Sequence, residues 1–557
     1  MLWERYLPDN RIQATGGHDS HLIWPSDPDL SIIRDISTSV LSQLAGYNVD
    51  NGPLEVQFLG RGANHRVYEV AHDSLPMPYL FRVAIDLDPT LKIESEMATL
   101  EFLRQNSSVP VARPLAWDSS ANNALGFEWC LVEKIPGVEI RRVWTDMPWN
   151  KKVAIVDQFA EIMCQVWHTT LKTSKIGSLY FSKQKATWSN IGVRGWNALK
   201  TLGGTIGDSP TITLIDDVCN HGFEVGPIVN LAFYTGRRRY LSPDRGPFKT
   251  CYDWVKALIG VEAELTRTAH LLLSSPCDMT EKHKTEPWEA LLQDLEVDSN
   301  FLEEYNDIVK TCNTYLEVLP YVFPTKDDPN AADDDPQYSL YHWDVSYTNV
   351  MVDPETFMVT GVLDWEMIST VPDWYGRQYP SFIDGFEPPA SSMPGAFTCD
   401  SSERGGIVDD QDPYGEGLLH KRFDKKMKEL GWEGWKLRSP TNDVKTRFIS
   451  SIGKMRRDWK SAREDLDWIV MQRGMEPVDW KSKSPYGSHQ QEEVEGSTQV
   501  VEGIVSENEN ISILDKKHDS EDNIKTLDSP DKGSEHGSRD GPLQSIALAG
   551  VCLSRIL

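Results

Sequence analysis

At 557 residues and 63.1 kDa, the chain is too long for one minimal module and long enough to bury a large core. Its 39% hydrophobic and 25% charged residues, with 19 Trp, 18 Tyr and 17 Phe, exclude a fibrous or wholly disordered chain. A balance of 56 Lys+Arg against 84 Asp+Glu gives a net charge of −28, which opposes phosphate backbones and anionic bilayers and argues against nucleic acid and membrane as partners. No apolar run reaches the ~20 residues a membrane-spanning helix needs. The opening MLWERYLPDNRIQ carries neither a secretory nor a transit pattern. An intracellular, cytoplasmic protein is therefore expected, with the mitochondrion left open. The eight cysteines are scattered without a C-x-x-C pair and read as reduced thiols rather than a disulfide framework or zinc site.

In chain order, residues 1–50 form an N-terminal extension. Residues 56–59 and 67–70 read as strands about a glycine-containing turn, and 79–85 as a third strand. Ile93, Met97, Leu100 and Leu103 then recur at helical spacing. Residues 127–133 return to strand, and Ile135-Pro136-Gly137 ends it, so 51–137 is a β-rich unit with one helix. Beyond Trp149 the pattern is mainly helical: Ile155, Phe159, Ile162, Met163 and Val166 make one stripe, and 252–274 and 301–319 two further helices. Short strands return at 339–341, 350–352 and 359–363.

Residues 388–411 are rich in Pro, Ser and Gly and read as a linker, opening a 391–486 segment whose 432–471 stretch is a helical subdomain. From residue 487 to 557 there is no aromatic residue, and between 491 and 540 stand 14 Asp+Glu against 5 Lys+Arg. Such a segment cannot bury enough apolar surface to offset its chain entropy, and an acidic disordered tail is expected, with a protein partner as its use.

The most distinctive stretch is His342-Trp343-Asp344-Val345-Ser346-Tyr347-Thr348-Asn349, an H-x-D-x-x-x-x-N pattern between short strands, followed fifteen residues after Asn349 by Asp364 in V-L-D-W-E. Phosphoryl transfer asks a protein mainly to position groups and neutralise charge, with a carboxylate to take the nucleophile's proton and two oxygen ligands for Mg²⁺. Asp344, Asn349 and Asp364 supply those three functions, and His342 braces the loop backbone.

This pair of motifs resembles the catalytic and metal-binding loops of the aminoglycoside phosphotransferase/choline kinase family, protein-kinase-like small-molecule kinases, and particularly its large fungal branch. Over residues 50–390 the resemblance implies an α+β, protein-kinase-like bilobal fold: a small β-rich N-terminal lobe (51–137), and a larger, mainly helical C-terminal lobe (138–390) with an insert at 196–248. It implies ATP and Mg²⁺ as cofactors and a hydroxyl-bearing small molecule as substrate. By the same resemblance Asp344 is the catalytic base, and Asn349 and Asp364 are the metal ligands. Gly60, Gly62 and Asn64 form the nucleotide loop. Arg82 holds the phosphates with Glu96 as its partner, Lys92 being the rival cation, and the hinge at Glu133 and Ile135 meets adenine through its backbone. Ser346 departs from the family, which commonly has His there, so a cation near the γ-phosphate is missing. A catalytically silent pseudokinase acting as a scaffold is the alternative. A protein kinase is disfavoured because no A-P-E segment follows Asp364. Arg237-Arg238-Arg239 and the acidic run from Asp327 to Asp335 read either as substrate-attracting charges or as solvated turns. Pro372-Asp373-Trp374 and Tyr379-Pro380 match the fungal pattern near an acceptor pocket.

Overall fold

The computed structural model describes residues 12–14, 20–22, 24, 26–62, 65–85, 88–169, 175–182, 212–234, 238, 241–274, 297, 299–325, 337–383, 416–436 and 439–480. Contacts divide the chain into Met1–Met475 with Arg555–Leu557, and Glu476–Ser554; of the second unit only residues 476–480 are described. The acidic tail expected at 487–557, the linker at 388–411, Asn64, Arg237, Arg239 and the 327–335 acidic run lie outside the described residues.

Among the described residues the first elements are β1 (Ile12–Ala14) and β2 (Ser20–Leu22), paired antiparallel. Helix α1 (Leu30–Leu44) is capped by Asp29, whose Oδ1 accepts from the Ser31 N–H at 2.8 Å. Its residues Ile33, Val40 and Leu41 are buried in one core with Val70, Phe81, Leu115 and Trp129. Part of the expected extension is thus built into the small lobe, because its helical stripe needs the sheet to cover it.

That lobe is a sheet in the order β10-β6-β7-β5-β4-β3, antiparallel throughout: β3 (Glu55–Arg61), β4 (His65–Ala71), β5 (Tyr79–Ala84), β6 (Pro114–Asp118), β7 (Glu128–Glu133) and β10 (Thr213–Leu214). Strand β7 is buried on both faces. Trp129 and Leu131 enter the core beneath α1, whereas Cys130 and Val132 enter the core shared with helix α2 (Leu91–Asn106), as the two-residue period of a strand requires. Helix α2 has no single apolar face: every residue from Leu91 to Leu103 is buried.

Past the hinge come β8 (Val138–Glu139), α3 (Trp149–His168) and β9 (Ser178–Phe181). The insert then supplies β10 with α4 (Ile215–Val218), β11 (Phe223–Gly226), which pairs with β9, and α5 (Leu231–Tyr234). Its Arg238 is buried and donates to Glu262 at 2.7 Å, so that arginine is neither a solvated charge nor a substrate lure. Helices α6 (Cys251–Ser274) and α7 (Phe301–Val322) pack side by side. Next come β12 (Tyr338–Tyr341), β13 (Val350–Val352), β14 (Val359–Val362), β15 (Ser369–Pro372) and α8 (Asp373–Gly376).

The last helices are α9 (Glu416–Glu429), α10 (Pro440–Ile452) and α11 (Trp459–Gln472). Leu419, Phe423 and Met427 of α9 join the core of α3, and the Tyr315 hydroxyl of α7 donates to the Ala462 carbonyl of α11 at 2.7 Å. These helices complete the large lobe instead of forming a subdomain of their own. The fold is α+β, as expected: an antiparallel sheet with its helix first, and a mainly helical lobe after it. Among the described residues no helix is long and apolar enough to cross a membrane, and Cys130, Cys164, Cys219, Cys251 and Cys312 are free thiols.

Candidate active site

Two short antiparallel ladders frame the H-x-D-x-x-x-x-N segment. On one side β12 pairs with β15, with Tyr341 opposite Ser369; on the other β13 pairs with β14, with Val350 opposite Val362. Residues 342–349 and 363–368 are the two crossings between these ladders, so pairing brings them side by side. The Leu363 N–H donates to the Asn349 carbonyl at 2.8 Å, and His342 Nε2 donates to the Leu363 carbonyl at 3.0 Å. That second bond leaves His342 Nδ1 as an acceptor for the Asp344 N–H at 3.3 Å. Burial pushes the His342 ring down to about 4, so it is a neutral brace.

Asp344 is held by its own loop. The Asn349 amide donates to Asp344 Oδ2 at 2.8 Å and to its carbonyl at 3.0 Å, which leaves Asn349 Oδ1 as an acceptor-type ligand. Burial raises the Asp344 carboxyl above its ordinary value, opposed by hydrogen bonds from Ser346 and Asn349. The Ser346 and Thr348 hydroxyls lie 2.9 Å apart. Val345 anchors the loop in the core, and Tyr347 rests edge-on against Trp144 and Phe382.

Asp364 follows β14 with φ 61, a left-handed conformation that Asp tolerates better than most side chains. Its carboxyl lies well above the ordinary value, first because it is buried and then because Glu366, Glu96 and Asp344 add negative charge around it, with Arg82 opposing. Across from it, Arg82 of β5 and Glu96 of α2 form a buried ion pair, and Glu96 Oε2 is buried without a hydrogen-bond partner. One turn earlier on α2, Lys92 is fully buried, its Nζ 2.7 Å from Glu366 Oε2 and 3.0 Å from His65 Nε2. Although burial pushes Glu366 up, Lys92 first and then Arg82 bring it down to about 2. Burial and Lys92 hold His65 neutral, well below its ordinary value. His65, Glu96 and Glu366 have ligand atoms within 4.8 Å of one another, yet the Lys92 ammonium already contacts two of them and supplies the positive charge.

The glycine turn between β3 and β4 contains a bulge between Phe58 and Gly60 and is closed by the Gly62 N–H donating to the His65 carbonyl at 2.9 Å. A Cβ at Gly60 or Gly62 would meet nothing within 4 Å, so internal packing does not demand these glycines. The space above them suits close approach by a phosphate. At the hinge the Glu133 N–H is already given to the carbonyl of Arg113, just ahead of β6, at 2.9 Å, so it cannot serve as a donor to adenine. Ile135 lies over β14: a Cβ on Gly361 would stand 2.5 Å from Ile135 Cδ1.

Arg82, Glu96, Asp344, Asn349 and Asp364 thus converge, with the hinge beside them. Lys92 does not stand as a rival phosphate cation, since Glu366 and His65 occupy its ammonium. Sequence reasoning gave no role to Glu366 or His65; the signal available was an acid two residues after Asp364 in an otherwise apolar frame. The donor set fits a divalent cation with a nucleotide: hard oxygens at Asn349 and Asp364, excess carboxylate around Asp364, and one unpartnered carboxylate oxygen on Glu96.

Residues 55–188 match the model of the phosphotransferase enzyme family (APH). A subtelomeric hrmA-associated cluster protein of Aspergillus fumigatus is 23% identical over 321 residues, 54% of this chain and 55% of that protein. The mitochondrial protein named altered inheritance of mitochondria protein 9 of Meyerozyma guilliermondii is 28% identical over 159 residues, 27% of this chain and 26% of that one. The chain therefore spans about half the length, or less, of these curated fungal relatives. Among solved structures, choline kinase of Cryptosporidium parvum is similar at 11% identity and a TM-score of 0.32, covering 80% of this chain and 96% of that one. An aminoglycoside phosphotransferase of Streptomyces rimosus is similar at 12% identity and 0.30, covering 75% and 99%.

Proposed function

We propose that the protein is an ATP- and Mg²⁺-dependent kinase transferring a phosphoryl group to a hydroxyl of a small molecule. The observation that carries this reading is the Asp344 to Asn349 hydrogen bond beside Asp364, with the Arg82 to Glu96 pair facing them. In it, Arg82, oriented by Glu96, takes the α- and β-phosphates with a planar fork. Gly60 and Gly62, with open space beside them, leave room for the phosphates at the turn, and the backbone at Ile135 meets the base. Asn349 Oδ1 and Asp364 hold Mg²⁺, which when bound neutralises the phosphate oxygens.

Asp344 accepts the acceptor hydroxyl's proton, and its raised carboxyl brings it nearer to working pH than an exposed aspartate would be. His342 keeps the loop backbone in place through its two hydrogen bonds. Ser346 replaces a cation with a hydroxyl that can donate to a phosphate oxygen. The small-molecule acceptor docks on the large-lobe side of Asp344, where Trp374 and Tyr375 follow β15.

Calorimetric titration with Mg²⁺-ATP, followed by a screen of hydroxyl acceptors with ATP hydrolysis as background, tests the reading. Mg²⁺-dependent nucleotide binding and acceptor-stimulated phosphate transfer are expected. A folded chain that binds no nucleotide overturns it; binding without transfer to any acceptor favours a scaffold.

A further inference from the structure

Beside the Arg82–Glu96 pair stands a second buried charge pair, Lys92 with Glu366. Lys92 and Glu96 stand one helical turn apart on α2 and so share a face. Glu96 reaches the sheet through Arg82; Lys92 reaches instead into the large lobe, to Glu366, and to His65 on the strand leaving the glycine turn. One fully buried lysine of helix α2 therefore touches two further segments, the turn after Asp364 and β4.

That turn needs an external hold. Asp364 and Met367 both have φ 61, on either side of Glu366, and such backbone persists only where its surroundings determine it. The first turn of α2 supplies two grips. Leu91 packs in one buried cluster with Met367, Tyr180, Val229 and Tyr234, and Lys92 takes the Glu366 carboxylate at 2.7 Å. The helix start is itself fixed by the insert, because Arg245 gives both terminal nitrogens to Asp88 at 2.7 and 2.5 Å.

We propose that Lys92 is a positioning residue of the phosphoryl-transfer site, its ammonium locking the Asp364–Glu366 turn against helix α2 and the glycine-turn strand so that Asp364 is presented to the metal. The proposal rests on the kinase reading. It differs from a role in binding phosphate, because the Lys92 ammonium is already held between Glu366 and His65. It also differs from simple neutralisation of a buried carboxylate, which any shape-matched neutral pair would replace.

The test is a double-substitution cycle on the full chain: wild type, Lys92→Met, Glu366→Gln and the double variant, each titrated with ATP in Mg²⁺ and in EDTA, with a melting curve for each. The Mg²⁺-dependent gain in ATP affinity is expected to fall by at least ~10-fold in both single variants and by the same amount, not the product, in the double, as for partners acting through one link. Affinity in EDTA is expected to stay within about twofold, since Arg82 is untouched, and the double is expected to melt above Lys92→Met because no lone charge remains buried. Recovery of the Mg²⁺-dependent gain in the double would reduce Lys92 to a counter-ion and overturn the proposal. A normal gain in Lys92→Met alone would do the same while leaving the kinase reading intact. A wild-type chain with no Mg²⁺-dependent gain would overturn the kinase reading and this proposal together.

Discussion

Asp364 and Asp344 sit in neighbouring loops but should fail differently. Asp364→Ala removes a hard-oxygen ligand at a strand end, and the expected result is loss of Mg²⁺-dependent ATP affinity in a chain that still melts cooperatively. Unchanged affinity by calorimetry would remove Asp364 from the metal site. Asp344→Asn keeps the shape and should keep Mg²⁺-ATP binding while transfer falls by ~10²-fold or more, the usual scale for a lost general base; normal turnover would take Asp344 out of the chemistry. His342 gives a pH signature. Its ring is neutral and pushed down to about 4, against 6.5 for an ordinary His. The unfolded chain therefore binds a proton that the folded one refuses, so stability is full above about pH 6.5 and is lost progressively as pH falls toward 4, by an order-of-magnitude ~3 kcal/mol. Ring-proton resonances of His342 are expected to stay flat from pH 8 to 5, and titration within that range would show that the ring is not buried as a neutral brace. At this scale the H-x-D-x-x-x-x-N segment and Asp364 stood out by residue type and spacing, and the two ladders bring them side by side. Lys92, His65 and Glu366 did not, because a buried polar triad drawn from three separate segments leaves no periodic or local trace in the chain.

At the scale of elements, the strands with plain alternation, 67–70 and 79–85, were readable, as was the helix from 93 to 103, though its reason was incomplete. The apolar spacing of Ile93, Met97, Leu100 and Leu103 marks one face, yet α2 is enclosed on all sides, and its polar residues are buried through ion pairs and hydrogen bonds that hydropathy cannot show. Strands β6, β9 and β15 escaped notice because each is short and fully buried, with no polar alternation to reveal a pleat. The hinge was legible as a stop at Pro136-Gly137, but its packing was not. Gly137 has φ +105, and a Cβ there would stand 2.4 Å from the Val352 carbonyl oxygen and 2.9 Å from Thr360 Oγ1. Gly137→Ala is therefore expected to cost at least about 1–2 kcal/mol from the backbone conformation and the forced shift of β13 together. A urea midpoint lowered with unchanged slope would register that cost; an unchanged midpoint would mean that the hinge does not rest on the β13–β14 hairpin in solution.

Across the whole molecule the segment from β10 to Arg245 touches both lobes. Thr213 and Leu214 extend the small-lobe sheet at β6, and β11 pairs with β9 of the large lobe. The Val229 N–H donates to Ser178 Oγ, which donates on to the Ile368 carbonyl beside the Asp364 turn. Arg245 closes the link, accepted by Asp88 ahead of α2 and by the Ile228 carbonyl at 3.0 Å from its Nε. The pair is largely dry, with 17% of the arginine and 7% of the aspartate side chain exposed, so removing one partner strands a buried charge. Sequence alone marked an insert at 196–248 but could not say what it held, since its contacts reach segments distant in the chain, 51 residues from Val229 to Ser178 and 157 from Arg245 to Asp88. Arg245→Ala is expected to lower stability by about 3–5 kcal/mol, the scale for breaking a buried pair. Because Asp88 precedes the helix that carries both Lys92 and Glu96, it should weaken Mg²⁺-ATP binding as well. Adding Asp88→Asn to the Arg245→Ala chain removes the stranded charge and should return part of the stability, measured by urea unfolding, without returning the nucleotide affinity. If the double variant regained both, the insert would act on the fold only; if Arg245→Ala changed neither, it would not be the strap between the lobes that these contacts describe.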